Sequence, residues 1–174
     1  NIPGQATCTG CPAGTINTLT AQTNRSACIN CTVGYYNPST NATQCFKCQV
    51  GFYNPYPGQA NCLSCPTGTF SNTTGQTVCI SCVAGYYNPF LNATSCLACP
   101  AGTFNTLAGQ GNITSCLSCP PGTYSGIGAT QCINCPVGMY NDLYGQSSCK
   151  PCATGQYNNL LGQSSCFNCS AGFY

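Results

Sequence analysis

All 20 cysteines of this 174-residue chain fall in ten Cys-x-x-Cys pairs. The pairs open at Cys8, Cys28, Cys45, Cys62, Cys79, Cys96, Cys116, Cys132, Cys149 and Cys166, so successive openings lie 20, 17, 17, 17, 17, 20, 16, 17 and 17 residues apart. Such self-similarity marks a solenoid or linear array in which each unit leans on its neighbours. The spacing inside a pair never changes; every length change lies between pairs. The pairs are the fixed frame, and the segments between them are loops.

Within each unit the same residue types recur. Gly stands three residues after the second Cys in all ten: Gly14, Gly34, Gly51, Gly68, Gly85, Gly102, Gly122, Gly138, Gly155 and Gly172. An aromatic stands at +5 in nine, namely Tyr36, Tyr53, Phe70, Tyr87, Phe104, Tyr124, Tyr140, Tyr157 and Tyr174, with Ile16 in the first. Four residues before the next pair comes Gly4, Gly58, Gly75, Gly128, Gly145 or Gly162, replaced elsewhere by Asn24, Asn41, Asn92 or Asn112. Gly and Asn share a low cost for positive φ, so this position is expected to be a left-handed turn. The unit is a short extended piece, a turn and a return to Cys. The expected fold class is small and disulfide-rich: an elongated tandem-repeat rod of short β-hairpin-like units with little or no helix.

A longer period overlies the short one. CPAGTINTLTAQTNRSAC (11–28) and CPAGTFNTLAGQGNITSC (99–116) share a three-residue insertion 88 residues apart. The chain 1–174 is thus one continuous array of ten units of about 17 residues. Residues 8–95 form a first five-unit super-repeat and 96–174 a second, which 1–7 of a following segment would complete. Joined end to start, the chain leaves 12 residues between Cys169 and the next Cys8, against 12 to 16 elsewhere. No run is long and apolar enough to span a membrane and no secretory leader opens the chain, so a mature or internal piece is expected.

Three chemistries compete for Cys-x-x-Cys. A redox pair sits at a helix start in a βαβ setting, and no helical period accompanies these ten copies. Two neighbouring pairs could bind zinc through four thiolates, but the chain lacks His and has few basic residues. Disulfides suit a secreted-type composition, and no metal or other cofactor is expected. Joining the second Cys of one pair to the first of the next closes one loop per unit: Cys11–Cys28, Cys31–Cys45, Cys48–Cys62, Cys65–Cys79, Cys82–Cys96, Cys99–Cys116, Cys119–Cys132, Cys135–Cys149 and Cys152–Cys166. Cys8 and Cys169 are left over, each expected to form a disulfide with a partner beyond the ends of this sequence. Each such loop is worth about 3 kcal/mol in the chain-entropy model. The recurrent aromatics are expected to supply inter-unit packing rather than a sugar-binding platform.

Arg25, Lys47, Lys150 and Asp142 are the only charged side chains. Their net charge of +2 cannot form a nucleic-acid footprint. With no His or Glu there is no nucleophile–base pair to name, so no enzyme is expected. Seven Asn-x-Ser/Thr sequons occur. Asn24, Asn41, Asn72, Asn92 and Asn112 are the expected acceptors of N-linked glycans; Asn30 and Asn168 lie inside Cys pairs, where access is expected to be poor. Extra rings at Tyr35, Phe52, Tyr56, Tyr86, Phe90 and Tyr144 are available for lateral contacts between copies.

The pattern Cys-Pro-x-Gly-Thr-aromatic followed by Gly-Gln-x-x-Cys-x-x-Cys, clean over Cys65 to Cys82, resembles the ephrin-receptor-like and growth-factor-receptor-like cysteine-rich repeats. It is more distantly similar to tumour-necrosis-factor-receptor modules, and it resembles the repeats of ciliate-type protist cysteine-rich surface antigens. The resemblance implies an extracellular or cell-surface location, disulfides and an elongated shape, while leaving function open. The expected function is a structural extracellular glycoprotein, forming a filament or surface coat. Its expected partners are copies of itself, end to end and laterally, with no nucleic acid. The alternative is a receptor or adhesion ectodomain that binds protein or carbohydrate.

Overall fold

The computed structural model describes residues 8–173; the expected turn at Gly4, the ring of Tyr174 and segment 1–7 lie outside them. Two compact units are formed, residues 1–80 with 90–95 and residues 81–89 with 96–174. Both are built from the same element, and nine two-stranded sheets form among the described residues. Helix is confined there to two three-residue 3-10 turns, Arg25–Ala27 and Ile113–Ser115.

One hairpin shows how the sequence makes the unit. Cys31 enters a four-residue turn in which the Tyr35 N–H donates to the Thr32 carbonyl at 3.0 Å and Gly34 has φ +78°. The strand Tyr35–Tyr36 then pairs antiparallel with Phe46–Lys47, Tyr36 opposite Phe46. The second strand is therefore the middle of the next Cys-x-x-Cys pair. Pairing the aromatic with the residue after the first Cys recurs at Tyr53–Leu63 in the first unit, and at Tyr87–Leu97, Phe104–Leu117 and Tyr124–Ile133 in the second.

Disulfides close every hairpin, always from the second Cys of one pair to the first of the next. The bonds are Cys11–Cys28, Cys31–Cys45, Cys48–Cys62, Cys65–Cys79, Cys82–Cys96, Cys99–Cys116, Cys119–Cys132, Cys135–Cys149 and Cys152–Cys166.

Hairpins are joined by backbone hydrogen bonds that repeat with the sequence. The glycine N–H donates to the carbonyl of the residue after the next aromatic: Gly14 to Asn37 and Gly34 to Asn54 in the first unit, Gly102 to Ser125 and Gly122 to Asn141 in the second, all at 2.7–2.9 Å. The left-handed turn residue donates back to the second Cys of the preceding hairpin, as in Gly58 to Cys31 and Gly145 to Cys119, both 2.8 Å. Glycine at the first position has two causes. Its φ is positive, and a Cβ on Gly102 would meet the Gly145 carbonyl oxygen at 2.0 Å.

The core differs from the expected aromatic stack. The most buried side chains are the second cysteines (Cys48, Cys65, Cys99, Cys119 and Cys135 at 0% exposure) and a column of polar residues one place beyond the aromatics. That column is Asn37, Asn54, Ser71, Asn88, Asn105, Ser125, Asn141 and Asn158, none more than 5% exposed. Of the recurrent rings five places after the second Cys, Tyr36, Tyr53, Phe70, Phe104, Tyr124 and Tyr140 are half-buried, Tyr87 falls in the core, and Tyr157 is exposed. The ring pairs Tyr36–Phe46 (6.1 Å) and Tyr157–Phe167 (5.9 Å) lie across a hairpin. A two-residue strand is too short to hide a ring on both sides, so the small residue that follows takes the interior.

The buried amides of Asn37, Asn54, Asn105, Asn141 and Asn158 each serve two chain segments. In the first unit Asn54 Nδ2 donates to the Tyr35 carbonyl of the preceding hairpin at 2.7 Å, while its Oδ1 accepts the Tyr56 N–H at 3.4 Å. In the second, Asn158 Nδ2 donates to the Met139 carbonyl at 2.8 Å and Oδ1 accepts the Leu160 N–H at 3.0 Å. Asn141 Oδ1 is the one buried side-chain polar atom without a partner among the described residues.

The two long loops also depart from expectation. Asn41 and Asn92 are left-handed, with φ +60° and +58°. Asn24 and Asn112 are extended, φ −131° and −145°, and cap the 3-10 turns. Ala21 (φ 55°) and Gly109 (φ 71°), three residues earlier, are left-handed instead. Gly109 makes the docking bond to Cys82 at 2.7 Å, so the insertion lies after a turn whose place on the ladder is unchanged.

Two predictions follow from this packing. Asn54→Ala leaves the Tyr35 carbonyl without its side-chain donor and empties a fully buried site, and should cost about 2 kcal/mol in non-reducing thermal or denaturant unfolding. Asn72→Ala, at an exposed position, should stay within about 0.5 kcal/mol. Among glycines, Gly126→Ala meets nothing and should be tolerated, whereas Gly138→Ala carries only the positive-φ strain of about 1–2 kcal/mol. Gly102→Ala adds the carbonyl clash and should be clearly the worst of the three in the same assay.

Candidate functional site

Chemistry at this surface is limited by what the fold leaves uncommitted. The hairpins consume eighteen cysteines, and Cys8 and Cys169 are free, the first exposed and the second half-buried. No group of three or more His, Cys, Asp or Glu able to hold a metal ion occurs among the described residues. A cleft beside the first hairpin is lined by Cys8, Gly10, Cys11, Leu19, Arg25 and Cys28. It contains one cation and no carboxylate or imidazole to work with it.

Asp142 and Lys150 form an exposed ion pair at 2.8 Å. The hydrogen bond from Lys150 holds the Asp142 carboxyl below its ordinary range, and the same bond raises the Lys150 ammonium. Lys150 also sits 6.0 Å from the Tyr140 ring centroid, opposite it across the hairpin. Surface pairs of this kind contribute little to stability.

What the surface does carry is repetition. The residue after the first Cys of a pair is a large apolar side chain at Ile29, Phe46, Leu63 and Ile80 in the first unit and at Leu97, Leu117, Ile133 and Phe167 in the second. All eight are exposed, Leu63 at 48% and Leu117 at 57%. The position points away from the buried disulfide and Asn column because strand residues alternate. Turn tips add a second set, with Tyr56 and Phe90 in the first unit and Ile127, Tyr144 and Leu161 in the second. Of the other rings expected to make lateral contacts, Tyr86 is exposed, whereas Tyr35 and Phe52 are half-buried.

All five expected glycan acceptors, Asn24, Asn41, Asn72, Asn92 and Asn112, are exposed. So are Asn30 and Asn168, which lie on the outer strands rather than in a closed recess. The expectation of poor access there is corrected, although the Asn30 carboxamide lies over Gly58 and Asn168 Oδ1 accepts from Gln156 Nε2 at 3.1 Å. The buried Asn column escaped notice in the sequence. Its signal is that every hairpin has Asn or Ser directly after the aromatic or its Ile16 substitute, with no larger or charged exception.

If sulfur is committed to bridges, a metal chelator should leave the circular dichroism and the melting transition unchanged. A reductant should abolish both. Loss of structure on chelation alone would reinstate zinc.

No individual curated protein matches the chain. Residues 68–116 and 122–158 match the family model described as tyrosine-protein kinase ephrin type A/B receptor-like. No helix among the described residues is long and apolar enough to cross a membrane. Over the matched stretches the chain is similar to these ephrin-receptor-like cysteine-rich repeats, and the likeness, with the nine disulfides, points to a module of the extracellular, receptor-like or structural type.

Proposed function

We infer that the chain is a structural glycoprotein of an extracellular filament or cell-surface coat, built by association of copies of itself. The observation that carries this reading is the exposed apolar residue repeated on hairpin after hairpin, four times in each unit. Large apolar surface left in water on a soluble protein marks a contact site. Four charges in 174 residues give almost no repulsion to oppose such contact. Attached sugars would supply the solubility that charge does not. The reading assigns no catalytic role and no nucleic-acid partner, in keeping with a composition that holds no His or Glu and three cations.

A second reading is supported by the receptor-like description of the matched family: an adhesion or receptor ectodomain that binds a protein or carbohydrate through its loop tips. The two differ in what the isolated protein does. Sedimentation over a range of concentrations should reveal concentration-dependent assemblies. Full burial of one Leu is worth about 1.5–3 kcal/mol, so Leu63→Ser with Leu117→Ser should weaken assembly by about tenfold or more. These changes should leave the hairpins folded. A species that stays monomeric at every concentration and binds a soluble ligand saturably would overturn the structural reading.

A further inference from the structure

The three-residue insertions are the chain's main departure from uniformity, and both fold the same way. Asn24 precedes Arg25–Ala27 and Asn112 precedes Ile113–Ser115, each in extended backbone. Asn24 Oδ1 accepts the Ser26 N–H and Asn112 Oδ1 accepts the Thr114 N–H, both at 3.0 Å. Ser26 and Thr114 are the hydroxyl members of the two sequons, so each insertion contains a complete Asn-x-Ser/Thr motif on an exposed segment.

At Asn41 and Asn92 the acceptor candidate and the docking turn coincide. Asn41 and Asn92 hold positive φ and give their N–H groups to the Cys11 and Cys65 carbonyls at 2.9 and 3.0 Å. The Asn41 carboxamide also occupies the space beside Gly10 where a Cβ would stand. In the long loops Ala21 and Gly109 take over the left-handed conformation. Gly109 keeps the docking bond in place of Asn112, and neither the Asn24 nor the Asn112 N–H makes a docking bond that a bulky group would meet.

Resting on the reading of the chain as an extracellular glycoprotein, we propose that Asn24 and Asn112 carry N-linked oligosaccharides and that the insertions serve to present them. In the modification Asn Nδ2 bonds to the anomeric carbon of a glycosyl diphosphate donor. The anomeric C–O bond breaks, the diphosphate leaves with the bonding electrons, and Nδ2 loses one proton to a base on the transferring enzyme. The backbone bond that holds each Oδ1 survives the reaction, because the carbonyl oxygen is unchanged.

The test is glycopeptide mapping of the chain secreted from eukaryotic cells, with enzymatic release in heavy-oxygen water so that each formerly occupied Asn becomes a labelled Asp. Asn24 and Asn112 should be labelled in most molecules. Ser26→Ala and Thr114→Ala keep the Asn side chain and its backbone bond, and each should lose one glycan's mass with the disulfide map and melting temperature unchanged. Asn92→Gln should instead lower the melting temperature, because Gln must adopt the left-handed turn. Secreted, correctly bridged protein with both sites unlabelled would overturn the proposal. Sedimentation of the same material keeps the two readings apart: bare protein that still assembles sinks this inference alone, and labelled protein that stays monomeric sinks only the association reading.

Discussion

The structure depends on one close approach: a glycine N–H giving its proton to the next hairpin's carbonyl, with the following turn pressed so near that no side chain fits between. At Gly14 a Cβ would lie 2.0 Å from the Gly58 carbonyl oxygen, and at Gly102 the same distance from that of Gly145. Because the bond links one hairpin to the next while the contact reaches the one after, the hairpins that begin at Cys11 and Cys99 are each fixed by two successors. A two-residue strand pair is unstable alone in water. Backbone bonding to neighbours, with a disulfide limiting each loop's freedom when unfolded, removes that instability without a large apolar interior.

That arrangement explains why the interior is polar. Sulfur occupies one side of the hairpin base, leaving a space beside the backbone that only a small side chain can fill. Asn and Ser do so and donate to carbonyls of the preceding hairpin, as Asn54 does to Tyr35 and Ser125 Oγ to Thr103 at 2.9 Å. A buried, fully paired amide specifies position more sharply than an apolar side chain of equal size, since any shift breaks two bonds. The aromatics are displaced outward, where they cover the hairpin and meet the exposed residue opposite.

Much of this is legible in the cysteine and glycine spacing. The invariant interval within each pair identifies the strand that closes the hairpin, and the limited menu of positive-φ residues identifies most of the turns. The rest depends on contacts between units that no single repeat contains. Asn37 and Asn54 resemble loop residues when read locally, because Asn is a turn former and its burial follows only once the next hairpin is docked. Asn24 and Asn112 fit the turn column by counting back from the next Cys. At the second insertion the preceding hairpin sets the position on the ladder, Gly109 donating to Cys82, and Ala21 holds the same left-handed conformation in the first. The exposed acceptors and apolar side chains are visible as motifs and residue types, whereas their common outward position needs the strand register.

Native-state hydrogen exchange on the fully oxidised protein tests the central claim most directly. The slowest amides should be those of the ladder: Gly34, Gly51, Gly58 and Asn54 in the first unit, and Gly102, Gly122, Gly145 and Asn141 in the second. Amides at the turn tips, such as Thr40 and Gly126, should exchange quickly. If the ladder glycines exchange as fast as those tips while all the disulfides remain closed, sulfur alone holds the hairpins and the backbone ladder does not order them.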